Sequence, residues 1–376
     1  MCRVLQKELN SEMKINKNLA AYSCFKIIIL EGFIIIMKKL IFLWVLVLAS
    51  CASSKFDKVN GVSFVSSREE VAQHHIDPVL DVQANYAAIM PFGFIRDLDS
   101  PELVFNTDRQ WFGERREGAK QYIEKLHQNG VSVMVKPQIW IFDGQFTGNM
   151  KMPSEEDWKK LEASYEEFIL LYAGLAEETQ SDIFCIGTEL KTFVDERPEF
   201  WNDLIQKVRT AYTGKITYAA NWDEYAKTPF WEELDYIGVN AYFPLCEREN
   251  PTVETLTEGW QPWKTKMREL AEQVERPILF TEFGYRSMDF TGKKPWLVDR
   301  NQENVNLEAQ ARATQVLFEE FWNEDWFAGG FVWKWFMQHD SVGGNEDNRF
   351  TPQNKPAESV IRRQYAQVRK SSLKGY

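Results

Sequence analysis

The sequence predicts an α/β protein built as a single (β/α)8 TIM barrel. Two observations carry that prediction. Eight short apolar runs alternate with segments of helical period, the rhythm of a parallel sheet wrapped by helices. Two of those runs, Asp182 to Leu190 and Arg276 to Tyr285, also contain a Thr-Glu pair at the end of the apolar stretch. A buried strand has no internal use for an unpaired carboxylate, because desolvating the charge is costly. At the C-terminal end of a barrel strand, however, the side chain emerges on the face where barrel enzymes place their chemistry. Glu189 and Glu282 are 93 residues apart. Three βα units of a ~250-residue barrel take roughly 94 residues, which sets the two acids on strands four and seven.

In chain order, Gly61–Val65 and Asn85–Pro91 read as the first two strands, with a weakly helical segment around Val71 to Leu80 between them. Arg116–Asn129 carries apolar residues at helical spacing and stops at Gly130, a C-terminal glycine signal. Val131–Pro137 is the third strand, followed by Gln138-Ile139-Trp140 and a glycine-containing loop to Met152. Ser154, with three acids behind it, reads as the N-cap of a helix running toward Glu178. The fourth strand leads to Glu189. A helix at Pro198–Ala211 precedes strand five, Lys215–Ala220, which runs into Asn221-Trp222. Strand six is Leu234–Asn240, then come a helix at Pro262–Val274 and strand seven at Pro277–Glu282. A helix at Ala309–Trp322, strand eight at Ala328–Trp335 and a last helix at Ala357–Val368 complete the pattern. The loop from Phe283 to Asn306 is a rim element.

The chain has 376 residues and a formal net charge of −11. That balance argues against a nucleic-acid partner, since phosphates call for a basic surface. Met37-Lys38-Lys39 and the apolar run Leu40–Ala49 have the form of a signal peptide, and Leu48-Ala49-Ser50-Cys51 matches a bacterial lipobox. The organisation expected is an upstream mis-start over 1–36, a lipoprotein signal peptide at 37–50, a tether at 51–58 and one catalytic barrel domain over 59–370. Cys51 would carry the lipid, placing a monomeric protein at the cell envelope, with the outer membrane favoured over the inner. Cys185 and Cys246 imply no disulfide, and no Cys/His cluster has metal-ligand spacing.

Two carboxylates across a barrel mouth can cleave a glycosidic bond. One donates a proton to the leaving oxygen while the other attacks the anomeric carbon or activates water. A separation of roughly 5 Å gives retention and a wider one inversion.

The strand-four Glu, strand-seven Glu and strand-eight Trp together resemble the retaining glycoside hydrolases of clan A. Val135-Lys136-Pro137-Gln138-Ile139-Trp140, Ile186-Gly187-Thr188-Glu189 and Asp235 to Tyr242 are similar to glycoside hydrolase family 113, the β-mannanase-like barrels. So are Phe280-Thr281-Glu282-Phe283-Gly284-Tyr285 and Gly329 to Trp335. The resemblance spans Lys58 to about Val368. It implies Glu189 as general acid/base, Glu282 as nucleophile, endo-cleavage of β-1,4-mannan or a related β-mannoside, and no cofactor. Many clan A enzymes carry Asn before the acid/base, where it contacts the sugar 2-hydroxyl; this chain has Thr188, and Asn221 is the candidate to replace it.

Further substrate-binding candidates follow. Tyr242 would hydrogen-bond Glu282 or pack at the rim. Phe331, Trp333 and Trp335 alternate onto one face, where one indole would floor the −1 sugar and Phe331 would fill the core. Trp140 and Trp222 would stack on flanking sugars or cap the barrel. Lys136, a cation in an apolar strand, needs a charged partner or an open mouth. The alternatives to a β-mannanase are the same barrel acting on another β-glycan or oligosaccharide, and a surface lipoprotein that binds glycan without cleaving it. A metal-dependent deacetylase is disfavoured, since the chain has His 4 and none at a strand end.

Overall fold

The structure, a computed structural model, describes residues 58–142, 144–297 and 304–373, with side chains through residue 367. The leader, Cys51 and the tether up to residue 57 lie outside the described residues.

The chain runs β1 (Val59–Phe64), α1 (Gln73–Asp81), β2 (Tyr86–Ile89), β3 (Phe92–Ile95), β4 (Val104–Phe105), α2 (Arg116–Gln128), β5 (Ser132–Val135) and β6 (Gln138–Ile141). It continues α3 (Glu155–Glu178), β7 (Ile183–Thr188), α4 (Lys191–Glu196), α5 (Pro198–Ala211), β8 (Lys215–Asn221) and β9 (Ile237–Asn240). Then follow α6 (Val253–Val274), β10 (Ile278–Phe283), α7 (Leu307–Phe321), β11 (Phe327–Trp335) and α8 (Pro356–Leu373). Eight parallel strands close into a barrel in the order β1-β11-β10-β9-β8-β7-β5-β2. Each of the eight matches one of the apolar runs.

Strand alternation sorts the apolar residues into two layers. Ala88, Met134, Cys185, Ala219, Leu279 and Phe331 fill the barrel interior. Their neighbours Ile89, Val135, Phe184, Ala220 and Phe280 face outward and pack with the helices, joined by the fully buried Trp201 and Trp260. Phe331 is interior packing, as its place in strand eight implies. Cys185 and Cys246 are free thiols.

Three features depart from the sequence reading. Helix α6 starts nine residues before Pro262: Thr252 caps it, accepting from the Thr255 N–H at 3.3 Å, and Leu256 and Trp260 continue its buried stripe. The proline is thus interior, not at the first turn where its missing N–H is free of cost. Helix α4 is one short turn pair directly after Glu189, too brief for a period to show. Gln138-Ile139-Trp140 belongs to a strand of its own, which the sequence reading did not assign: β6 pairs parallel with β3, which pairs antiparallel with β4, in a small sheet outside the barrel.

The seam where the barrel closes is tight. Gly329 pairs with Val59 and has φ 113°, and a Cβ there would lie 2.2 Å from the Val59 carbonyl oxygen. Replacing Gly329 by Ala adds both a backbone strain and a clash with main chain, two effects that each destabilise. We expect a loss of at least about 2 kcal/mol, seen as a lower urea midpoint at unchanged m-value.

Candidate active site

Both acids leave their strands at irregularities in the ladder. Cys185 opposes Thr217 and Thr188 opposes Ala219, so β7 takes three residue steps against two on β8. Such a bulge re-aims the side chains that follow it. Glu189 comes next in left-handed backbone, φ 53°, its N–H donating to the Ala219 carbonyl at 2.9 Å. That conformation costs a non-glycine residue about 1–3 kcal/mol and persists only where the surroundings over-determine it. On β10, Phe280 opposes Val239 and Glu282 opposes Asn240, two steps against one.

Glu282 is 5 % exposed and accepts on both oxygens. Oε1 takes the Lys136 ammonium and the Gln138 amide, the latter at 3.2 Å; Oε2 takes the Tyr242 hydroxyl at 2.7 Å. Lys136 is fully buried, so it and Glu282 form a buried ion pair spanning the mouth from the end of β5 to β10. Three donors around one carboxyl suit a carboxylate, which accepts on both oxygens.

Glu189 has a poorer environment for charge. Its Oε1 accepts from the Asn240 amide at 2.9 Å. Burial pushes its pKa up to about 7, helped by the negative charge of Glu282 and, more weakly, by Asp223; the Asn240 hydrogen bond and Lys136 pull the other way. Asn240 is itself oriented by Thr281, whose hydroxyl donates to Oδ1 at 2.9 Å. The residue before Glu282 thereby positions the amide that holds Glu189. The two Thr-Glu pairs are matched in sequence and unlike in use, because the Thr188 hydroxyl is buried without a hydrogen-bond partner.

Behind Glu189 lies a second buried carboxyl. Glu224 Oε1 accepts from the Asn221 N–H at 2.9 Å and the Tyr218 hydroxyl at 3.4 Å, and Tyr218 accepts from the Leu190 N–H at 2.7 Å. Burial, above all, raises the Glu224 pKa to about 8, with Glu189 and Asp223 adding to it.

The remaining candidates divide. Trp333 is half-buried with its ring 5.9 Å from the Lys136 ammonium, so it stands beside the acids. Lys334 covers Trp333 and Phe336 at 5.6 and 5.0 Å; burial lowers its pKa, against the pull of Glu282. Trp335 does not join Trp333. It is fully buried in the layer between strands and helices, because β11 carries an extra residue against β1 (Val62 opposes Val332, Phe64 opposes Trp335) and the alternation inverts. The Asn221 side chain is committed locally, its Oδ1 accepting from the Trp222 N–H at 2.9 Å, and the asparagine whose side chain reaches Glu189 is Asn240. Trp222 stacks on Trp296 at 4.9 Å and 24° and packs on Phe243 and Trp263 at the rim. Trp140 stands 49 % exposed on β6.

Sequence reasoning missed Asn240, Gln138 and Glu224. Asn240 carried the same signal as the two glutamates, a polar residue closing an apolar strand. Gln138 opens the four-residue strand β6 and Glu224 sits in the turn after β8, and at neither place does the local pattern separate a ligand-facing residue from a solvated one. Among the described residues, no group of three or more His, Cys, Asp or Glu side chains is placed to hold a metal ion.

A β-mannanase of family 113 from Alicyclobacillus acidocaldarius, solved in complex with ManMIm, matches with a TM-score of 0.72 at 25% identity, over 84% of this chain and 100% of that one. A β-1,4-mannanase of the same family matches with 0.71 at 22% identity, over 82% and 99%. The β-glucuronidase of Faecalibacterium prausnitzii matches with 0.55 at 14% identity, over 82% of this chain and 49% of that one, a likeness of fold alone. No curated protein matches the sequence. The family model for Glycoside Hydrolase Family 113 matches residues 64–355, a span that contains both carboxylates and every barrel strand from the end of β1 through β11. The chain is therefore a glycoside hydrolase and belongs to glycoside hydrolase family 113.

Proposed function

We propose that the protein cleaves β-1,4-mannosidic linkages within mannan chains by double displacement, with Glu189 as general acid/base and Glu282 as nucleophile. The observation that carries this reading is the unequal environment of the two acids. Environments that push two carboxyls apart in acidity assign their roles. Glu282, with Lys136, Gln138 and Tyr242 around it, is the carboxylate ready to attack. Glu189, raised to about 7, is the acid that still holds a proton at neutral pH.

In the first step, Glu189 gives its proton to the glycosidic oxygen while a Glu282 oxygen bonds the anomeric carbon; the C–O bond to the leaving sugar breaks. A glycosyl ester on Glu282 results, and the negative charge that added to the effect of burial on the Glu189 pKa is gone. Glu189 is now a carboxylate and takes a proton from water. The water oxygen attacks the anomeric carbon, the ester bond breaks, and both acids return to their starting states. Tyr242 and Lys136 hold the Glu282 carboxyl in place through the cycle. Trp333, beside Lys136, is the indole we assign to the −1 sugar. The leader at 37–50 and Cys51 support a lipid-anchored location at the cell envelope, with the outer membrane favoured.

Purified mature chain is expected to release reducing ends from β-mannan and mannohexaose, and Glu282→Ala to release none. Cleavage of β-glucan or xylan instead would move the substrate and keep the mechanism; binding without cleavage of any glycan would overturn it. Because Glu189 works protonated in the first step, kcat/KM should fall as pH rises through about 7, the pKa burial gives it. A limb that falls well below pH 6 would reassign the acid.

Removing one partner of a buried ion pair leaves an uncompensated charge and costs roughly 3–5 kcal/mol. Lys136→Met should show a loss of that order by urea unfolding, and the double variant Lys136→Met/Glu282→Gln should regain most of it. Cys51→Ser should abolish labelling by a fatty acid and release the protein from membrane fractions.

A further inference from the structure

The sheet of β3, β4 and β6 stands outside the barrel and touches the chemistry above only through Gln138, at the start of β6. Its two faces differ in kind. Ile95 and Ile141 turn inward and are buried, and Gly93 lies against Leu103 and the ring of Phe168 on α3. The alternate residues of β6 and its extension, Gln138, Trp140 and Phe142, share the opposite face. The register sets Phe92 beside Gln138, and Phe94 beside both Trp140 and Val104. Ring centroids run Phe92 to Phe94 at 6.2 Å and Phe94 to Phe142 at 6.2 Å. Trp140, Phe142 and Val104 are 49 %, 68 % and 55 % exposed. A contiguous apolar face of this kind left in water marks a place where something binds.

We propose that this face is a glycan-binding track, an extension of the cleft that stacks the pyranose rings of a β-linked chain beyond those at the carboxylates. The proposal rests on the β-mannan reading above and deepens it. What selects a glycan as the occupant is continuity with the acids. Gln138, on this face of β6, donates to Glu282 at 3.2 Å, and Trp140 and Phe142 follow it outward on the same face. Successive side chains on one strand face are about 6.6 Å apart, so Gln138, Trp140 and Phe142 form a row leading away from Glu282. A sugar chain held at Glu282 and leaving past Gln138 therefore meets aromatic faces in turn, and its apolar C–H faces stack on them. The track works only on chains long enough to reach it, so it confers a preference for polymer over short oligosaccharide and for internal over terminal bonds.

The test compares chain lengths. Trp140→Ala, Phe142→Ala, their double variant and Trp140→Phe are assayed on an aryl β-mannoside and on mannohexaose. Each alanine should lower kcat/KM on mannohexaose roughly five- to tenfold, the order of one aromatic contact, and leave the aryl mannoside within about twofold. Trp140→Phe should keep most of the activity, and Tm should not move because both rings are exposed. Equal losses on both substrates, or none on mannohexaose, would overturn the track. So would unchanged chain-length dependence with loss of self-association in sedimentation, or of binding to phosphatidylethanolamine/phosphatidylglycerol vesicles; those results would make the face an interface between copies or a membrane contact. If the wild type cleaves no β-mannoside, the substrate reading fails by itself. The track is then decided by affinity electrophoresis in mannan, glucan and xylan gels. Retardation lost in the double variant supports it, and no retardation of the wild type overturns it.

Discussion

The fully buried ammonium of Lys136 is the constraint that the rest of the site answers to. A cation with no water around it is tolerable only against a charge, and the structure supplies one in Glu282. That pairing joins the end of β5 to β10 across the mouth. It leaves Glu282 with one oxygen still to satisfy, and Tyr242 satisfies it. Lys136 also offsets part of the load that the Glu282 charge places on Glu189, whose pKa would stand further above its usual range without the ammonium nearby. One buried ammonium thus fixes the geometry of one acid and restrains the upward pKa shift of the other.

The positions of both acids depend on irregular pairing. A regular ladder would carry each side chain alternately into the packed interior or into the layer under the helices, and neither place can take substrate. The bulge before Glu189, with its left-handed backbone, and the register shift at Glu282 break that alternation where the strands reach the mouth. The strain at Glu189 is balanced by tethers on both sides: its own N–H on Ala219 and the Leu190 N–H on Tyr218.

Much of this could be read from the residues alone, and the reasons are physical. Each barrel strand is buried on both faces, so it appears as an unbroken apolar run, and a carboxylate closing such a run has few explanations. Glu189 and Glu282 were found that way. Lys136 was recognised as needing a partner, but which partner depends on barrel closure, a long-range fact that local pattern does not hold. Trp335 was misplaced for a related cause: alternation counts residues, and one extra residue against β1 reverses every later side chain. The small sheet escaped notice because four residues of β6 after Pro137 are too few for a period to stand out.

Glu224 shows how the site tolerates another acid beside Glu189. Its carboxyl is buried, with pKa about 8, and is therefore neutral at the pH where Glu189 works. As a neutral group it adds no repulsion to Glu189, while its Oε1 still anchors the Asn221 N–H and the Tyr218 hydroxyl. Tyr218 in turn holds the residue that follows Glu189. Were Glu224 ionised, its charge would push the Glu189 pKa higher still, and the deglycosylation step, which needs Glu189 as a base, would be starved of the ionised form. Glu189 also disfavours ionisation of Glu224. The two acids therefore keep each other in register: the one under the site stays protonated so that the one in the site can titrate near neutrality.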